Sequence, residues 1–198
     1  KSCVHFIKLS RVSLSDDVIF SFIKQEIALS QSSPELLCFE ITETAAIANL
    51  SNAVKFLNEI RNIGCQFALD DFGAGLSSFS YLKTIPVDYL KIDGGFVRDI
   101  NEDPMNYAIV RAINEIGHVA GLHTVAEHVE NEETLELLRD VGVDMVKQIS
   151  SLAPFGEGNP DPRSLARSVR VLSAKVVGRR HLKPKLTRDE KTKAGTGF

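Results

Sequence analysis

The stretch Cys65-Gln-Phe-Ala-Leu-Asp-Asp-Phe-Gly-Ala-Gly75 decides the fold. Its first five residues have the length and apolar character of a buried strand, and two adjacent aspartates follow where that strand ends. Regular strand geometry sends Asp70 and Asp71 to different sides, so that they can serve two metal ions, or one metal ion and a water. The stretch therefore predicts a strand that leads into a polar site.

On both sides of this stretch, apolar runs of strand length alternate with segments of helical periodicity. The predicted strands are Val4–Leu9, Leu36–Ile41, Cys65–Leu69, Val87–Ile92, Leu122–Ala126 and Met145–Ile149. The first predicted helix begins at Ser15 or Asp16 and ends before Pro34. The other predicted helices cover Ala53–Ile63, Ser77–Leu82, Met105–Val119 and Glu132–Val141. This alternation predicts a mostly parallel sheet, either closed as a (β/α)8 barrel or open and doubly wound.

Charged residues at the strand ends favour the barrel. They are Glu40 and Glu43 after the second strand, Asp70 and Asp71 after the third, Lys91 and Asp93 after the fourth, and Glu127 after the fifth. Because the carboxyl ends of parallel strands meet at one rim, these side chains are expected to converge there, as they do in β/α barrels. A barrel has eight strands and only six are apparent, so we predict an α/β fold of the TIM-barrel class that is incomplete, with its first strands missing.

The charge of the chain divides at a Gly- and Pro-rich stretch, Gly156–Pro162. Residues 1–162 carry 12 Lys and Arg against 24 Asp and Glu, whereas residues 163–198 carry 11 against 2. We predict a barrel domain over 1–155, a linker over 156–162 and a basic tail over 163–198, with a helix over 163–177 and disorder after it. Charge alone permits nucleic-acid binding by the tail, but its few apolar residues have no evident packing partner, and we do not expect it.

The overall composition excludes several classes of protein. The chain is 43% hydrophobic and 25% charged, without an apolar run of about 18 residues that could cross a membrane. Cys3, Cys38 and Cys65 are odd in number and have no CxxC spacing. Collagen-like, low-complexity and disulfide-scaffold classes are therefore excluded, and we expect a reduced, cytoplasmic protein with no membrane span.

The residue types at the predicted rim are suited to metal-assisted chemistry. Glu40, Asp70 and Asp71 offer the hard oxygen ligands that Mg²⁺ and Mn²⁺ prefer, and Lys91 offers a compact cation for a phosphate or an attacking water. This set suits hydrolysis of a phosphodiester by a metal-activated water. An isolated Asp-Asp pair is more often a helix cap or a solvated turn, and the agreement of four strand ends argues against that alternative.

Four segments of the sequence resemble the EAL family of cyclic-di-GMP phosphodiesterases. They are Phe39-Glu-Ile-Thr-Glu-Thr44, Leu69-Asp-Asp-Phe-Gly-Ala-Gly-Leu-Ser-Ser78, Tyr89-Leu-Lys-Ile-Asp93 and Thr124-Val-Ala-Glu-His-Val-Glu130, in an order that runs from about Val4 to Val146. The resemblance implies that cyclic di-GMP, a bacterial second messenger, is opened to linear pGpG with Mg²⁺ or Mn²⁺. It also implies pairing of two copies near the Asp-Asp loop, and a GGDEF or sensor domain upstream.

The resemblance assigns roles to individual residues. The implied metal ligands are Glu40, Asp70, Asp71 and Glu127, and the implied substrate-binding residues are Asp70, Lys91 and Glu127. Among the implied catalytic residues, Lys91 orients or deprotonates the water, Asp71 binds the second metal or the water, and Glu43 holds the loop that follows Asp71.

Three departures from the family pattern concern this site. The family's Glu-Ala-Leu segment is expected before the point where this sequence begins, and with it one metal-ligand Glu. Lys8 stands where an Asn ligand is expected and Lys147 where a Gln is expected. Because an ammonium group cannot ligate Mg²⁺ and repels it, we expect weak or absent hydrolysis. The alternative is a non-catalytic cyclic-di-GMP receptor or interaction module, in which Lys8 pairs with a substrate phosphate or with Glu40.

Overall fold

One seven-stranded sheet with helices against it organises the chain in the computed structural model, which describes residues 4–29, 33–75, 79–148 and 169–173. The strands are β1 (His5–Leu9), β2 (Leu37–Thr42), β3 (Gln66–Phe72), β4 (Tyr89–Ile92), β5 (His123–Val129), β6 (Met145–Gln148) and β7 (Val169–Ser173). The helices are α1 (Asp17–Leu29), α2 (Glu43–Ala48), α3 (Leu50–Arg61), α4 (Gly94–Arg98), α5 (Pro104–Val119) and α6 (Glu132–Val141). The six predicted strands are all present, whereas α2, α4 and β7 were not predicted.

The sheet has the order β6-β5-β4-β3-β2-β1-β7. Neighbouring strands from β1 to β6 are parallel, and β7 pairs antiparallel with β1. A parallel sheet in chain order with helices in its crossovers is the wall of a TIM-type barrel, and the predicted incomplete barrel is confirmed. Val169–Ser173 form β7 where a helix was predicted over 163–177. The linker predicted over 156–162 and the rest of the tail lie outside the described residues.

The two faces of the sheet carry different side chains. The face against the helices is apolar, and Ile41, Leu69 and Leu90 are fully buried there within the main core. The opposite face carries a second, smaller apolar layer of five buried residues, Phe6, Cys38, Ala68, Tyr89 and Val125. Because strand side chains alternate, the residue two positions after each member of this layer lies on the same face, nearer the carboxyl end.

Local sequence fixes the helix boundaries that place these strands. Asp103 accepts a hydrogen bond from the Met105 N–H (2.8 Å) before Pro104, and α5 begins there. Asn131 caps α6 in the same way, and Gly142 ends it with a φ of +89° that a residue with a Cβ rarely adopts. These ends give the short connections that bring successive strands back into one parallel sheet.

β3 and β5 each contain a bulge near the carboxyl end. The register of β3 against β4 shifts between Leu69 and Phe72, and the register of β5 against β6 shifts between Ala126 and Val129. A residue with positive φ lies in each bulge, namely Asp71 at 54° and His128 at 58°. The extra residue interrupts the alternation of sides, so Asp70 and Asp71 are not separated in the way that regular strand geometry predicts.

Two further expectations concern cysteines and membranes. Cys38 and Cys65 are buried free thiols, and burial raises the pKa of Cys65 to about 11, which fits small core residues rather than nucleophiles. Within the described part of the chain, no helix has the length and apolar character needed to span a bilayer.

Candidate functional site

Six charged side chains line one face of the sheet near its carboxyl edge, one from each parallel strand. We call them the charged row; in strand order from β1 to β6 they are Lys8, Glu40, Asp70, Lys91, Glu127 and Lys147. Each lies two positions after a residue of the smaller apolar layer or, for Lys147, after Met145, which packs against that layer. Three lysines and three carboxylates therefore share one face, and neighbouring strands bring them into contact.

Lys91 is the centre of the charged row. Its side chain is 2% exposed, and its Nζ lies 2.5 Å from Asp70 Oδ1, 2.7 Å from Glu40 Oε1 and 2.9 Å from Glu127 Oε1. Burial by itself lowers the pKa of a lysine, but the three carboxylates outweigh it, and the pKa of Lys91 lies above its ordinary value. All three carboxylates thus lie within ion-pair distance of one ammonium group, and Asp70 accepts a hydrogen bond from it.

Lys8 reaches Asp70 across the intervening strand β2. Its Nζ lies 2.8 Å from Asp70 Oδ2 and 3.7 Å from Asp71 Oδ2. Burial lowers the pKa of Lys8, the contacts with Asp70 and Asp71 raise it, and the result is a pKa above the ordinary value. For Asp70, burial raises the pKa, but the neighbouring Lys91 and Lys8 outweigh this effect, and the pKa of Asp70 lies below its ordinary value. The pairing of Lys8 with Glu40 considered from the sequence is not formed, since the ammonium group beside Glu40 is that of Lys91.

The bulge at Asp71 brings both aspartates to the same ammonium group. Asp71 is 45% exposed, so it stands at the solvent side of the charged row, whereas Asp70 is 3% exposed. Burial and the neighbouring Asp70 carboxylate raise the pKa of Asp71, and Lys8 only partly offsets this. The expectation that the two carboxylates point to different sides was therefore wrong, because β3 is irregular at this point.

Glu127 and Lys147 form the far end of the charged row. Lys147 Nζ lies 2.9 Å from Glu127 Oε1, the same oxygen that contacts Lys91. Burial raises the pKa of Glu127, but the two lysines outweigh it and hold the pKa below its ordinary value. The residue in the expected Gln position thus neutralises a carboxylate that the resemblance makes a metal ligand.

Glu43 is buried behind the rim and holds the segment that follows Asp71. Its Oε2 accepts a hydrogen bond from the Gly73 N–H (3.2 Å), and its Oε1 accepts one from the Tyr81 hydroxyl (2.7 Å). Glu43 is placed at the first position of α2 by Thr42, whose side chain accepts a hydrogen bond from the Ala45 N–H. This position suits a residue that fixes the loop rather than one that contacts a substrate.

The EAL domain family model matches residues 2–147, which include every strand of the parallel sheet up to Lys147. This chain belongs to the EAL domain family. The curated relatives of this EAL domain include the cyclic di-GMP phosphodiesterases PdeB of Shewanella oneidensis, 38% identical over 79% of this chain and 18% of its own length, and PdeA of Borreliella burgdorferi, 36% identical over 73% and 22%. The chain thus spans about a fifth of the length of these relatives.

Solved structures agree with this assignment. The PaMucR phosphodiesterase in complex with c-di-GMP superposes with a TM-score of 0.68 at 31% identity, covering 71% of this chain and 57% of that one. The FimX EAL domain from Pseudomonas aeruginosa bound to c-di-GMP gives 0.67 at 29% identity, covering 71% and 58%. The fold of this EAL domain is therefore that of known family members over its parallel sheet.

A second family model, the RecJ OB domain, matches residues 136–198. The described residues in that range do not form a separate barrel. Residues 136–148 cover the end of α6, a short connection and β6. Helix α6 packs against the parallel sheet, β6 belongs to it, and β7 pairs with β1 of the same sheet. The described part of this range is thus continuous with the EAL domain.

EAL phosphodiesterases depend on divalent metal ions, and the residues of this EAL domain do not fit one as they stand. Both oxygens of Asp70 contact ammonium groups, those of Lys8 and Lys91, and Glu127 Oε1 contacts those of Lys91 and Lys147. Glu40 Oε2 is buried and has no hydrogen-bond partner among the described residues, and burial raises the pKa of Glu40 despite the adjacent Lys91. No set of three or more His, Cys, Asp or Glu side chains in the described ranges is arranged to hold a metal ion.

Lys8 and Lys147 were identified from the sequence as departures from the family and not as members of the site. A sequence pattern could have placed them there. Each of the six parallel strands carries a triplet of two apolar residues and then a charged one: Phe6-Ile-Lys8, Cys38-Phe-Glu40, Ala68-Leu-Asp70, Tyr89-Leu-Lys91, Val125-Ala-Glu127 and Met145-Val-Lys147. Period two puts the first and third residue of each triplet on one face, so the triplets alone align the charged row.

Proposed function

We propose that this chain binds cyclic di-GMP at the charged row and hydrolyses it weakly or not at all. Membership of the EAL family and the names of its relatives support this nucleotide as the ligand. The FimX EAL domain bound to c-di-GMP, with nearly the same fold, supports binding at the carboxyl edge of the sheet, where β/α barrels hold their ligands.

The observation that carries the proposal is the position of Lys8 beside Asp70. Cyclic di-GMP carries two phosphodiester anions, and the body of the chain is acidic, so cations must be supplied locally. Lys8 is 39% exposed and Lys147 is 18% exposed, and both stand on the face that carries the site. Their ammonium groups are the accessible cations of the charged row, because Lys91 is buried.

Weak hydrolysis follows from the two lysines that are paired with implied metal ligands. Lys8 Nζ lies 2.8 Å from Asp70 Oδ2 and Lys147 Nζ lies 2.9 Å from Glu127 Oε1, so ammonium groups stand where a metal ion would have to bind to activate the water. Lys91 holds Glu40, Asp70 and Glu127 together as a positioning residue. Asp71 is the accessible carboxylate, and Glu43 keeps the loop after it in place.

Titration calorimetry and product analysis test this proposal together. We expect the full chain to bind cyclic di-GMP in buffer with EDTA and to make pGpG with Mn²⁺ at least about 100-fold more slowly than the PaMucR phosphodiesterase assayed beside it. Lys8→Met should weaken binding, whereas Lys55→Met, which removes an exposed lysine on α3, should not. Absence of binding in both buffers would favour the interaction-module alternative, and rapid pGpG formation would favour an active phosphodiesterase.

Pairing of two copies near the Asp-Asp loop remains part of the proposal. Phe79 is 45% exposed and packs against Phe72, the residue after the two aspartates, so an apolar side chain is available there. Light scattering of Phe79→Ser against the native chain tests this pairing. A GGDEF or sensor domain upstream and a cytoplasmic location are likewise proposed from the family, whose ligand is an intracellular messenger.

A further inference from the structure

We propose that Lys8 is an internal cation that takes the place of a divalent metal ion, and that its removal opens a carboxylate site for Mg²⁺ or Mn²⁺. The inference rests on the site of the proposed function but concerns its metal content, so a measurement of Mn²⁺ binding without nucleotide can fail while nucleotide binding holds, and the reverse. It rests on the contacts of Lys8, on the charge of its surroundings and on an unused carboxylate oxygen of Glu40, whose Cα pairs in register with that of Lys8 on the neighbouring strand.

The contacts of Lys8 are with groups that a metal would need. Asp70 Oδ1 contacts Lys91 and Asp70 Oδ2 contacts Lys8, so neither oxygen of Asp70 is free for a cation from solution. The same Lys8 ammonium group lies 3.7 Å from Asp71 Oδ2. A metal ion that bound to either aspartate at this point would meet an ammonium group already there, and the two cations would repel each other.

Among the charged row and Asp71, the charge is close to balanced only because Lys8 is present. Glu40, Asp70, Asp71 and Glu127 supply four carboxylates, which face the ammonium groups of Lys8, Lys91 and Lys147. Replacing Lys8 with a neutral residue leaves four carboxylates against two ammonium groups. A dication then neutralises the excess, whereas in the native chain it would add charge to a site that is nearly neutral.

Glu40 supplies the unused oxygen. Its side chain is 1% exposed, its Oε1 is paired with Lys91, and its Oε2 has no hydrogen-bond partner among the described residues. Glu40 stands on β2, the strand that Lys8 crosses to reach Asp70, and its Cα pairs in register with that of Lys8. Once Lys8 is replaced, Asp70 Oδ2 and Asp71 Oδ2 lose their shared cation. Together with Glu40 Oε2 on the intervening strand, they offer the donor type that Mg²⁺ and Mn²⁺ take.

Electron paramagnetic resonance of free Mn²⁺, without nucleotide, tests the proposal. We expect Lys8→Asn to bind one Mn²⁺ at least about tenfold more tightly than the native chain, because a repelling cation is exchanged for a neutral amide. Lys8→Arg keeps a cation at this position and should bind no better than the native chain. Lys55→Asn makes the same change of charge far from the site and should also show no gain.

A second measurement on the native chain does not depend on how the variants fold. Added Mn²⁺ should leave the amide resonances of β1, β2 and β3 unbroadened and should not shift the melting temperature relative to buffer with EDTA. Selective broadening of the residues around Lys8, or equal Mn²⁺ affinity in the native chain and Lys8→Asn, would overturn the proposal. A cooperatively folded Lys8→Asn chain without a gain in Mn²⁺ affinity would overturn it as well.

Discussion

Lys8 Nζ lies 2.8 Å from Asp70 Oδ2, with the whole of β2 between the two strands that carry them. Lys91 links Glu40, Asp70 and Glu127, and Lys147 adds the last strand through Glu127. The charged row therefore connects all six parallel strands by side-chain ion pairs at one edge of the sheet. The carboxylates that the family resemblance makes metal ligands are therefore paired with lysines in this chain.

We predict that Lys91→Met strongly destabilises the fold. The substitution leaves the buried carboxylates Asp70 and Glu40 without their shared cation, and breaking a buried ion pair on one side costs about 3–5 kcal/mol. Urea denaturation at neutral pH measures the loss, with Lys55→Met as the control for removing an exposed lysine. A loss below about 1 kcal/mol would show that the carboxylates become protonated or hydrated at little cost.

Much of the fold could be predicted because its strands are short apolar runs with turns between them. The parallel order follows from strand–helix alternation, and the rim follows from charged residues at successive strand ends. β7 could not be predicted, since Val169–Ser173 lie in a basic segment whose pairing with β1 depends on a contact far away in sequence. The contacts of Asp71 could not be predicted either, because they depend on a bulge at a non-glycine residue with positive φ.

Four of the six members of the charged row could be predicted as site residues, but the ion pairs that they form could not. Glu40, Asp70, Lys91 and Glu127 do converge as the strand ends indicate. Sequence spacing does not determine which carboxylate an ammonium group contacts. Lys8 contacts Asp70 rather than Glu40 on the adjacent strand, because its long side chain extends over β2. Because Lys8 contacts Asp70, an ammonium group stands where a metal ion would have to bind. This contact depends on the three-dimensional arrangement of β1, β2 and β3.

We predict a strong energetic coupling between Gly94 and His128. A Cβ built on Gly94 would overlap His128 Nδ1, so Gly94→Ala forces the imidazole out of its position and costs about 1–3 kcal/mol. In the His128→Gly background the ring is gone, and the same alanine should cost less than about 0.5 kcal/mol. A double-mutant cycle by urea denaturation measures the difference, and additive effects would contradict the close contact.

We predict that Glu43→Gln loosens the loop after Asp71 more than it affects the rest of the sheet. Glutamine keeps one acceptor, but its amide hydrogens face one of the donors that Glu43 now satisfies, the Gly73 N–H or the Tyr81 hydroxyl. The cost is about 1–3 kcal/mol, as for a buried donor left without a partner. Hydrogen exchange should become faster at Phe72 and Gly73. Tyr81→Phe is the control, because it leaves the Gly73 bond intact and should change exchange there less.

Asp144 gives a prediction of pH-dependent stability. Its Oδ2 accepts a hydrogen bond from the Thr124 N–H (2.8 Å) and lies 2.9 Å from His118 Nε2 and 3.9 Å from His123 Nδ1. Burial raises the pKa of Asp144, but the contacts with His123, the Thr124 N–H and His118 outweigh it and hold the pKa well below its ordinary value. A carboxyl whose pKa is lower in the folded chain stabilises the fold above its unfolded pKa, about 4, and loses that contribution as the pH falls through the folded value.

The comparison of the native chain with Asp144→Asn should therefore depend on pH. At pH 7 the variant should be less stable by about 1–2 kcal/mol, the scale of a hydrogen bond to a charged group that remains partly exposed to solvent. The difference should stay constant down to about pH 5 and shrink below about pH 4, where the unfolded chain takes up a proton on Asp144 that the folded chain resists. Asp140→Asn, an exposed aspartate on α6, should show no such difference. A gap between native chain and Asp144→Asn that widens toward acid would mean that the carboxylate is not what stabilises this corner of the sheet.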